Sequence, residues 1–101
     1  MNDRTLIDRP ELERQLATRV GWQLEPAGGA IHRTLTFPDF ETAFAFMTRV
    51  ALAAEREGHH PEWTNTYNRV HIRLWTHDRG GVTALDLRLA DAVDRAAGLL
   101  S

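Results

Sequence analysis

The stretch that decides the fold runs from Glu55 to Asp86 and reads E-R-E-G-H-H-P-E-W-T-N-T-Y-N-R-V-H-I-R-L-W-T-H-D-R-G-G-V-T-A-L-D. It contains four of the five histidines, two of the three tryptophans and the only tyrosine. Gly58 predicts the end of a long helix, and the residues beyond it form two short extended runs. An imidazole can both donate and accept a proton near neutrality, because its unperturbed pKa is about 6.5. We therefore interpret this stretch as a helix end followed by a hairpin that carries acid–base groups.

The two runs, residues 62–67 and 70–77, predict a β-hairpin that turns around Asn68 and Arg69. In the later run, alternate positions separate one set, Val70, Ile72, Leu74 and Thr76, from another, His71, Arg73, Trp75 and His77. Such alternation is typical of a strand with one buried face. One face is therefore expected to lie against helices, and the other to meet solvent or another subunit.

Upstream, Pro38 and Asp39 predict the start of the longest helix, over about residues 39–57. Apolar residues recur there at helical spacing and predict a core-facing stripe of Phe40, Ala43, Phe44, Met47, Val50, Ala51 and Ala54. Phe46 lies off this stripe, so we predict that it faces a partner or a second layer.

A helix is also predicted near each end of the sequence. Asp8 and Pro10 predict the start of the first, which is expected to end at Gly21. Its buried stripe is expected to consist of Leu12, Leu16 and Val20. Thr83 and Asp86 form a capping pattern for the last helix. The buried stripe of that helix is expected to consist of Leu85, Leu89, Val93, Ala96 and Leu100.

Residues 22–25 and 30–37 predict a first hairpin, because the run P-A-G-G at 26–29 is a strong turn signal. One face of its second strand is expected to carry Ile31, Arg33, Leu35 and Phe37. The elements therefore follow the order α-β-β-α-β-β-α. We predict an α+β fold, a single domain over residues 1–101, with an antiparallel four-stranded sheet covered on one face by helices.

Composition argues against several classes of protein. The formal net charge is −2 and the sequence shows no basic patch, so nucleic-acid binding is not expected. The absence of cysteine excludes disulfides, thiolate zinc sites and cysteine nucleophiles. No run approaches the ~20 apolar residues of a membrane span, and residues 1–8 do not resemble a secretory signal. We expect a cytoplasmic protein without a membrane partner.

Three histidines are the candidate catalytic groups. His59 and His60 follow the long helix, and His77 lies at the far end of the second strand of the hairpin. Helix end and strand end can converge at one rim of the sheet, where the carboxylates of Glu55 and Asp86 would set imidazole tautomers. One imidazole can then act as an acid and another as a base, which indicates proton-transfer chemistry.

Each residue also has a structural explanation. A loop histidine is usually a surface residue, and Trp63 and Tyr67, which could stack on a flat heterocycle, are more often packing residues. Glu55 can be a solvated charge, and Asp86 a carboxylate favoured by the helix dipole. The alternative interpretation of the histidine cluster is a metal site. However, adjacent histidines seldom face one ion, and H-E-x-x-H spacing does not occur, so we expect no metal.

Four runs in one order resemble the pterin-4a-carbinolamine dehydratase family, over about residues 6–97. They are F-P-D-F-E-T-A-F-A-F-M-T-R-V-A at 37–51, E-x-x-x-H-H-P-E-W at 55–63, Y-N-x-V-H-I at 67–72 and T-H-D-x-G-G-V-T-x-x-D at 76–86. Members of that family dehydrate 4a-hydroxytetrahydrobiopterin, formed by aromatic amino acid hydroxylases, to quinonoid dihydrobiopterin. The family fold is an α+β sandwich with a four-stranded antiparallel sheet.

The resemblance implies that His59, His60 and His77 are the active-site histidines and that no cofactor is required. It also implies a set of pterin-binding residues: Glu55, Pro61, Trp63, Thr76, Asp78 and Asp86. Family members form dimers or tetramers, which implies a homo-oligomer. The pathway partner would be an aromatic amino acid hydroxylase.

Two alternatives to a simple enzyme accompany the resemblance. Some relatives are dimerisation cofactors of a homeodomain transcription factor, and others are assembly factors for other enzymes. The complete histidine set favours catalysis, because a scaffold has no need of three imidazoles.

Trp75 departs from the family, which usually carries a smaller residue there, so the pocket rim or a subunit contact is expected to differ. Trp75, Phe46 and the alanine-rich last helix also suggest apolar surface for a two-fold oligomer.

Overall fold

The structure is a computed structural model that describes residues 2–100, except for the side chain of Leu100. The elements in chain order are α1 (Arg9–Ala17), β1 (Gln23–Leu24), β2 (Ile31–Thr36), α2 (Phe40–Glu57), β3 (Glu62–Thr66), β4 (Arg69–Leu74), a 3-10 turn (His77–Arg79) and α3 (Ala84–Leu100). This order confirms the predicted α-β-β-α-β-β-α arrangement. The stripe position predicted at Leu100 lies outside the described side chains.

The four strands form one antiparallel sheet in the order β1-β2-β4-β3. Both predicted hairpins are present, and β4 joins them by pairing with β2 as well as with β3. Leu74 lies opposite Ile31 in the first of these pairs, and Ile72 lies opposite Trp63 in the second. Strand β4 is therefore central, which fixes the position of the residues that leave its end.

The second hairpin differs from its prediction in two places. The turn lies at Tyr67 and Asn68, one residue earlier than expected, and Tyr67 takes a positive φ of 53° there. Strand β4 ends at Leu74, so His77 is not at a strand end but begins the 3-10 turn. Thr76 and Gly81 form an isolated bridge that closes the loop containing this turn. His77 is consequently presented from a short loop and not from the sheet.

The helices cover one face of the sheet, as predicted, and the core lies between them. Strand alternation sends a full row of apolar side chains to that face, buried to 6% exposure or less: Ile31, Leu35, Val70, Ile72 and Leu74. Arg33 also points to the helices, where its guanidinium contacts the Asp94 carboxylate at 2.5 Å. The opposite face carries His32, Thr34 and His71, and it is more polar.

The predicted stripe of α2 was wrong at its aromatic positions. Phe46 is fully buried and packs on Phe37 with ring centroids 4.8 Å apart, whereas Phe40 and Phe44 are 48% and 56% exposed. Ala51 is exposed as well. Two apolar stripes with helical spacing overlap on this helix, and the one that contains Phe46 faces the sheet. Along it the small side chains of Ala43, Ala53 and Ala54 are buried, and their size permits close packing.

Phe46→Leu should lower the free energy of unfolding by about 1–2 kcal/mol, because the smaller side chain leaves part of a fully packed site unfilled. The matched control is Phe44→Leu, two residues away on the same helix, which should change stability by about 0.5 kcal/mol or less. Urea denaturation of both variants measures the difference. Equal effects at the two positions would contradict the orientation of α2.

The first helix ends earlier than predicted. Asp8 caps its start by accepting a hydrogen bond from the Glu11 amide at 3.0 Å, and Leu12 is buried. However, α1 ends at Ala17, and Val20 is 84% exposed. The chain turns between these positions so that Trp22, and not Val20, enters the core. Gly21 lies in this turn and does not end the helix.

Candidate active site at the end of helix α2

A left-handed glycine delivers two histidines to the site. Gly58 follows α2 with φ 65° and ψ 28°, a conformation that glycine adopts without steric cost. Its amide donates to the carbonyls of Ala54 and Glu55, which completes the last turn of the helix. The chain therefore reverses sharply, and His59 and His60 stand immediately beyond the helix end.

His59 is buried and bound to a buried carboxylate. Its Nε2 lies 2.5 Å from Oδ1 of Asp86, which is fully buried in the first turn of α3. The second oxygen, Oδ2, accepts from the Thr76 hydroxyl and from the Thr83 amide, each at 2.9 Å. An ionised carboxylate can only accept hydrogen bonds, so in this contact Nε2 of His59 carries the proton. Nδ1 is then the ring nitrogen without a proton.

His60 forms a second imidazole–carboxylate pair in a different environment. Its Nε2 lies 2.8 Å from Oε1 of Glu55, and the two side chains are 62% and 79% exposed. An exposed pair of this kind contributes little to stability. Glu55 therefore orients the imidazole without making His60 part of the core, so that this imidazole remains in contact with solvent.

His77 reaches the site from the 3-10 turn. The preceding residue, Thr76, is buried and holds the loop through its bonds to Thr83 and Asp86. The imidazole of His77 is exposed and packs beside the indole of Trp75, with ring centroids 4.2 Å apart. Asp86 thus connects the loop that carries His77 to the loop that carries His59.

The three predicted histidines line one shallow cavity of about 230 Å³. Its lining consists of Arg4, Gly58, His59, His60, Trp75, Thr76, His77 and Asp78. Two predicted substrate-binding residues, Thr76 and Asp78, are thus also present. Glu55 and Asp86 lie behind the lining as partners of the histidines.

The structure places the remaining candidates differently. Trp63 does not line the cavity, because strand alternation turns its side chain toward the helices, where it is half-buried against the core. Pro61 is also half-buried and outside the lining. Tyr67 is 63% exposed in the hairpin turn, at the end of β3 remote from the histidines.

Arg4 is a lining residue that sequence reasoning missed. Its guanidinium forms an ion pair with the Asp78 carboxylate, and this hydrogen bond holds the pKa of Asp78 below its usual value. The amide of Ile7 donates to the Val82 carbonyl at 3.0 Å, which fastens the same N-terminal segment to the loop before α3. Arg4 belongs to no motif, so only the tertiary fold reveals its position.

The polar groups that line the cavity are imidazoles, the Thr76 hydroxyl and the ionised side chains of Arg4 and Asp78, a set suited to acid–base chemistry. Within residues 2–100, histidine and carboxylate side chains do not form a group of three that could hold a metal ion. Across the same residues, no helix has the length and apolar character needed to cross a bilayer.

Known proteins resemble this chain over most of its length. The family described as Pterin 4 alpha carbinolamine dehydratase matches residues 5–96. A protein of Rhodospirillum rubrum, provisionally named a pterin-4-alpha-carbinolamine dehydratase, is 51% identical over 97% of this chain and 100% of its own length. A similarly named protein of Rhizobium johnstonii is 50% identical over 90% of each chain.

Two solved structures share the fold. The transcriptional coactivator/pterin dehydratase of Brucella melitensis superimposes with a TM-score of 0.90 and 44% identity, over 93% of this chain and 100% of that one. A pterin dehydratase-like RuBisCO assembly factor of the α-carboxysome superimposes with a TM-score of 0.66 over 77% of this chain and 90% of that one, but at 23% identity it shows the fold alone. From the extent of the family match and the close relatives, the chain belongs to the pterin-4a-carbinolamine dehydratase family.

Proposed function

We propose that the protein dehydrates a pterin 4a-carbinolamine, 4a-hydroxytetrahydrobiopterin, to quinonoid dihydrobiopterin and water. One observation carries the proposal: three histidines, two of them paired with carboxylates, line a single cavity in a chain of this family. The role of the protein would be to support tetrahydrobiopterin recycling beside an aromatic amino acid hydroxylase, and we place this activity in the cytoplasm.

The reaction needs two proton transfers. A proton goes to the departing 4a-oxygen as the C4a–O bond breaks, and the proton on N5 is removed as its electrons form the C4a=N5 bond. One histidine of the three would act as the acid and another as the base, with each transfer contributing on the order of 10²–10⁴-fold. The Asp86 carboxylate contacts Nε2 of His59 from the buried side, and the Glu55 carboxylate contacts Nε2 of His60 from the exposed side, so that both imidazoles are oriented.

Purified protein should accelerate the disappearance of 4a-hydroxytetrahydrobiopterin generated by a hydroxylase, with no protein other than that hydroxylase added. Stopped-flow absorbance measures the rate against the spontaneous dehydration. A rate equal to the spontaneous one would reject the proposal. In that case the interaction function described below would become the leading explanation.

Removal of metal ions should leave this rate unchanged, because the proposed acid and base are both imidazoles. The measurement is the dehydration rate after exhaustive treatment with a chelator, compared with mock-treated protein. A fall in rate that zinc restores would show that the histidines have been assigned the wrong chemistry.

A second candidate function is that of a non-catalytic dimerisation or assembly cofactor. The observation in its favour is a surface on the two long helices that exposes apolar side chains, with Leu52 (57%) and Leu99 (71%) beside three arginines and Phe44 (56%) farther along α2. Such a surface can accept a partner protein without using any imidazole. An effect on a partner that survives loss of the histidines would support this function.

The same surface leads us to propose a homodimer or homotetramer with two-fold symmetry. Multi-angle light scattering at micromolar concentration should give a mass at least twice that of one chain. Phe44→Glu should shift the mass toward a monomer, because it places a charge within the apolar surface. A monomeric wild-type protein would contradict this proposal.

A further inference from the structure

The indole of Trp75 lies beside the candidate acid–base groups and packs on the imidazole of His77. It follows the last residue of β4 and lines the cavity together with His59, His60 and His77. Its ring centroid lies 4.2 Å from that of the His77 imidazole, with 36° between the planes. This is a direct aromatic contact, and it limits the orientations available to an otherwise exposed imidazole.

Three charged side chains fix the indole from outside the cavity. Its Nε1 donates to Oε1 of Glu62 at 3.2 Å, and the guanidinium carbon of Arg73 lies 5.2 Å from the ring centroid. Arg73 is itself held by Glu62 at 2.9 Å and by Glu25 at 2.5 Å and 2.9 Å. The charged side chains of Glu62 and Arg73 therefore restrict the orientation of the indole.

The charges of Glu25, Glu62 and Arg73 help to hold the indole in place. Hydrogen bonds from Arg73 hold the pKa of Glu62 and that of Glu25 below their usual values, and the Trp75 indole lowers that of Glu62 further. All three charges thus persist over the neutral range. The indole does not rely on a group that titrates near pH 7 for its position.

We propose that Trp75 is the positioning residue for His77: the indole packs on the imidazole and fixes the orientation in which this ring meets the cavity. The inference rests on the proposed function, because it names how that site aligns one of its three imidazoles. An imidazole held in one orientation keeps its nitrogens aligned with a bound substrate, as an acid or a base requires.

Replacement of the indole separates this role from general packing. Trp75→Ser should lower kcat/KM for 4a-hydroxytetrahydrobiopterin by about tenfold, because the His77 imidazole loses the contact that orients it for proton transfer. Trp75→Phe keeps an aromatic face and should stay within about threefold of the wild-type value. Tyr67→Asn removes an exposed aromatic ring far from the cavity at a positive φ that asparagine accepts, and it should leave the kinetics unchanged.

Nuclear magnetic resonance of the histidine ring protons tests the positioning step without any substrate. The His77 signals should move in Trp75→Ser, because the ring current of the indole is lost, while those of His32, on the outer face of the sheet, should not. Thermal unfolding of the same samples shows whether each variant is folded. If Trp75→Ser unfolds, Trp75→Phe is compared with the wild type by kcat/KM and by the His77 signals. A partial movement of the His77 signals is then expected.

The possible failures are distinguishable. If the wild type dehydrates the carbinolamine and folded Trp75→Ser does so with an equal kcat/KM, the inference is wrong and the proposed function stands. If the wild type shows no turnover, the proposed function is wrong, and the His77 signals alone then decide whether Trp75 positions that imidazole. Unchanged His77 signals in Trp75→Ser would overturn the positioning role whatever the activity.

Discussion

His60→Ala and His59→Ala should each lower the turnover of 4a-hydroxytetrahydrobiopterin by at least about tenfold, within the range expected for a lost acid or base. The reason is that each imidazole lies on the cavity and is paired with its own carboxylate, Glu55 in one case and Asp86 in the other. The measurement is kcat and KM for each variant under identical conditions. His32→Ala is the matched control, because this histidine lies on the outer face of the sheet and should keep wild-type kinetics.

The double variant provides a sharper test. Loss of both imidazoles should cost less than the product of the two single losses if the pair acts as one catalytic unit. Strictly multiplicative losses would indicate that the two histidines act independently. Wild-type rates in both single variants would remove them from the mechanism.

The two substitutions are not expected to affect folding equally. A histidine in a surface loop usually contributes little to stability, and His60, whose side chain is 62% exposed, fits this description. His59, however, is buried, so its loss leaves Oδ1 of Asp86 without a donor at a cost of about 1–3 kcal/mol. Urea denaturation should therefore accompany the kinetics of His59→Ala.

Asp86→Ala should lower the free energy of unfolding by about 2–4 kcal/mol and also reduce turnover. This carboxylate is fully buried and accepts hydrogen bonds from His59, Thr76 and the Thr83 amide. Its loss leaves the Thr83 amide at the start of α3 without an acceptor and the imidazole without its orienting partner. Urea denaturation and the dehydration rate measure the two effects.

Asp86→Asn separates the two roles, because the amide keeps the size and one acceptor oxygen but not the charge. It should retain more stability than Asp86→Ala while still losing turnover. Asp91→Ala is the control on the same helix. Asp91 is 41% exposed and pairs with Arg19, so its loss should cost about 1 kcal/mol or less. Equal stability losses at positions 86 and 91 would contradict the buried network.

Much of the fold could be predicted because its periodicities are clear. Alternation in residues 70–77 predicted a strand, although not its central position in the sheet, and Gly58 predicted the end of the long helix. Together these two elements bring His59 and His60 to the rim of the sheet. Which of Phe44 and Phe46 is buried could not be predicted in the same way. Both lie on apolar stripes of helical spacing, and only the packing of α2 on the sheet determines which one is buried.

The candidate site was partly accessible to the same reasoning. His59, His60 and His77 were placed together because they flank elements that meet at one edge, and the cavity contains all three. That they act on substrate stays a prediction. Trp63 was expected beside them, but its strand position turns it toward the core. Arg4 could not be found, because its contact with Asp78 joins residues far apart in the sequence.

The most direct test of histidine catalysis compares wild-type protein with the His59→Ala/His60→Ala double variant in the dehydration of 4a-hydroxytetrahydrobiopterin at equal protein concentration. The wild type is expected to accelerate the reaction clearly over the spontaneous rate, and the double variant to give a rate close to the spontaneous one. Equal acceleration by both proteins, or none by the wild type, would contradict histidine catalysis.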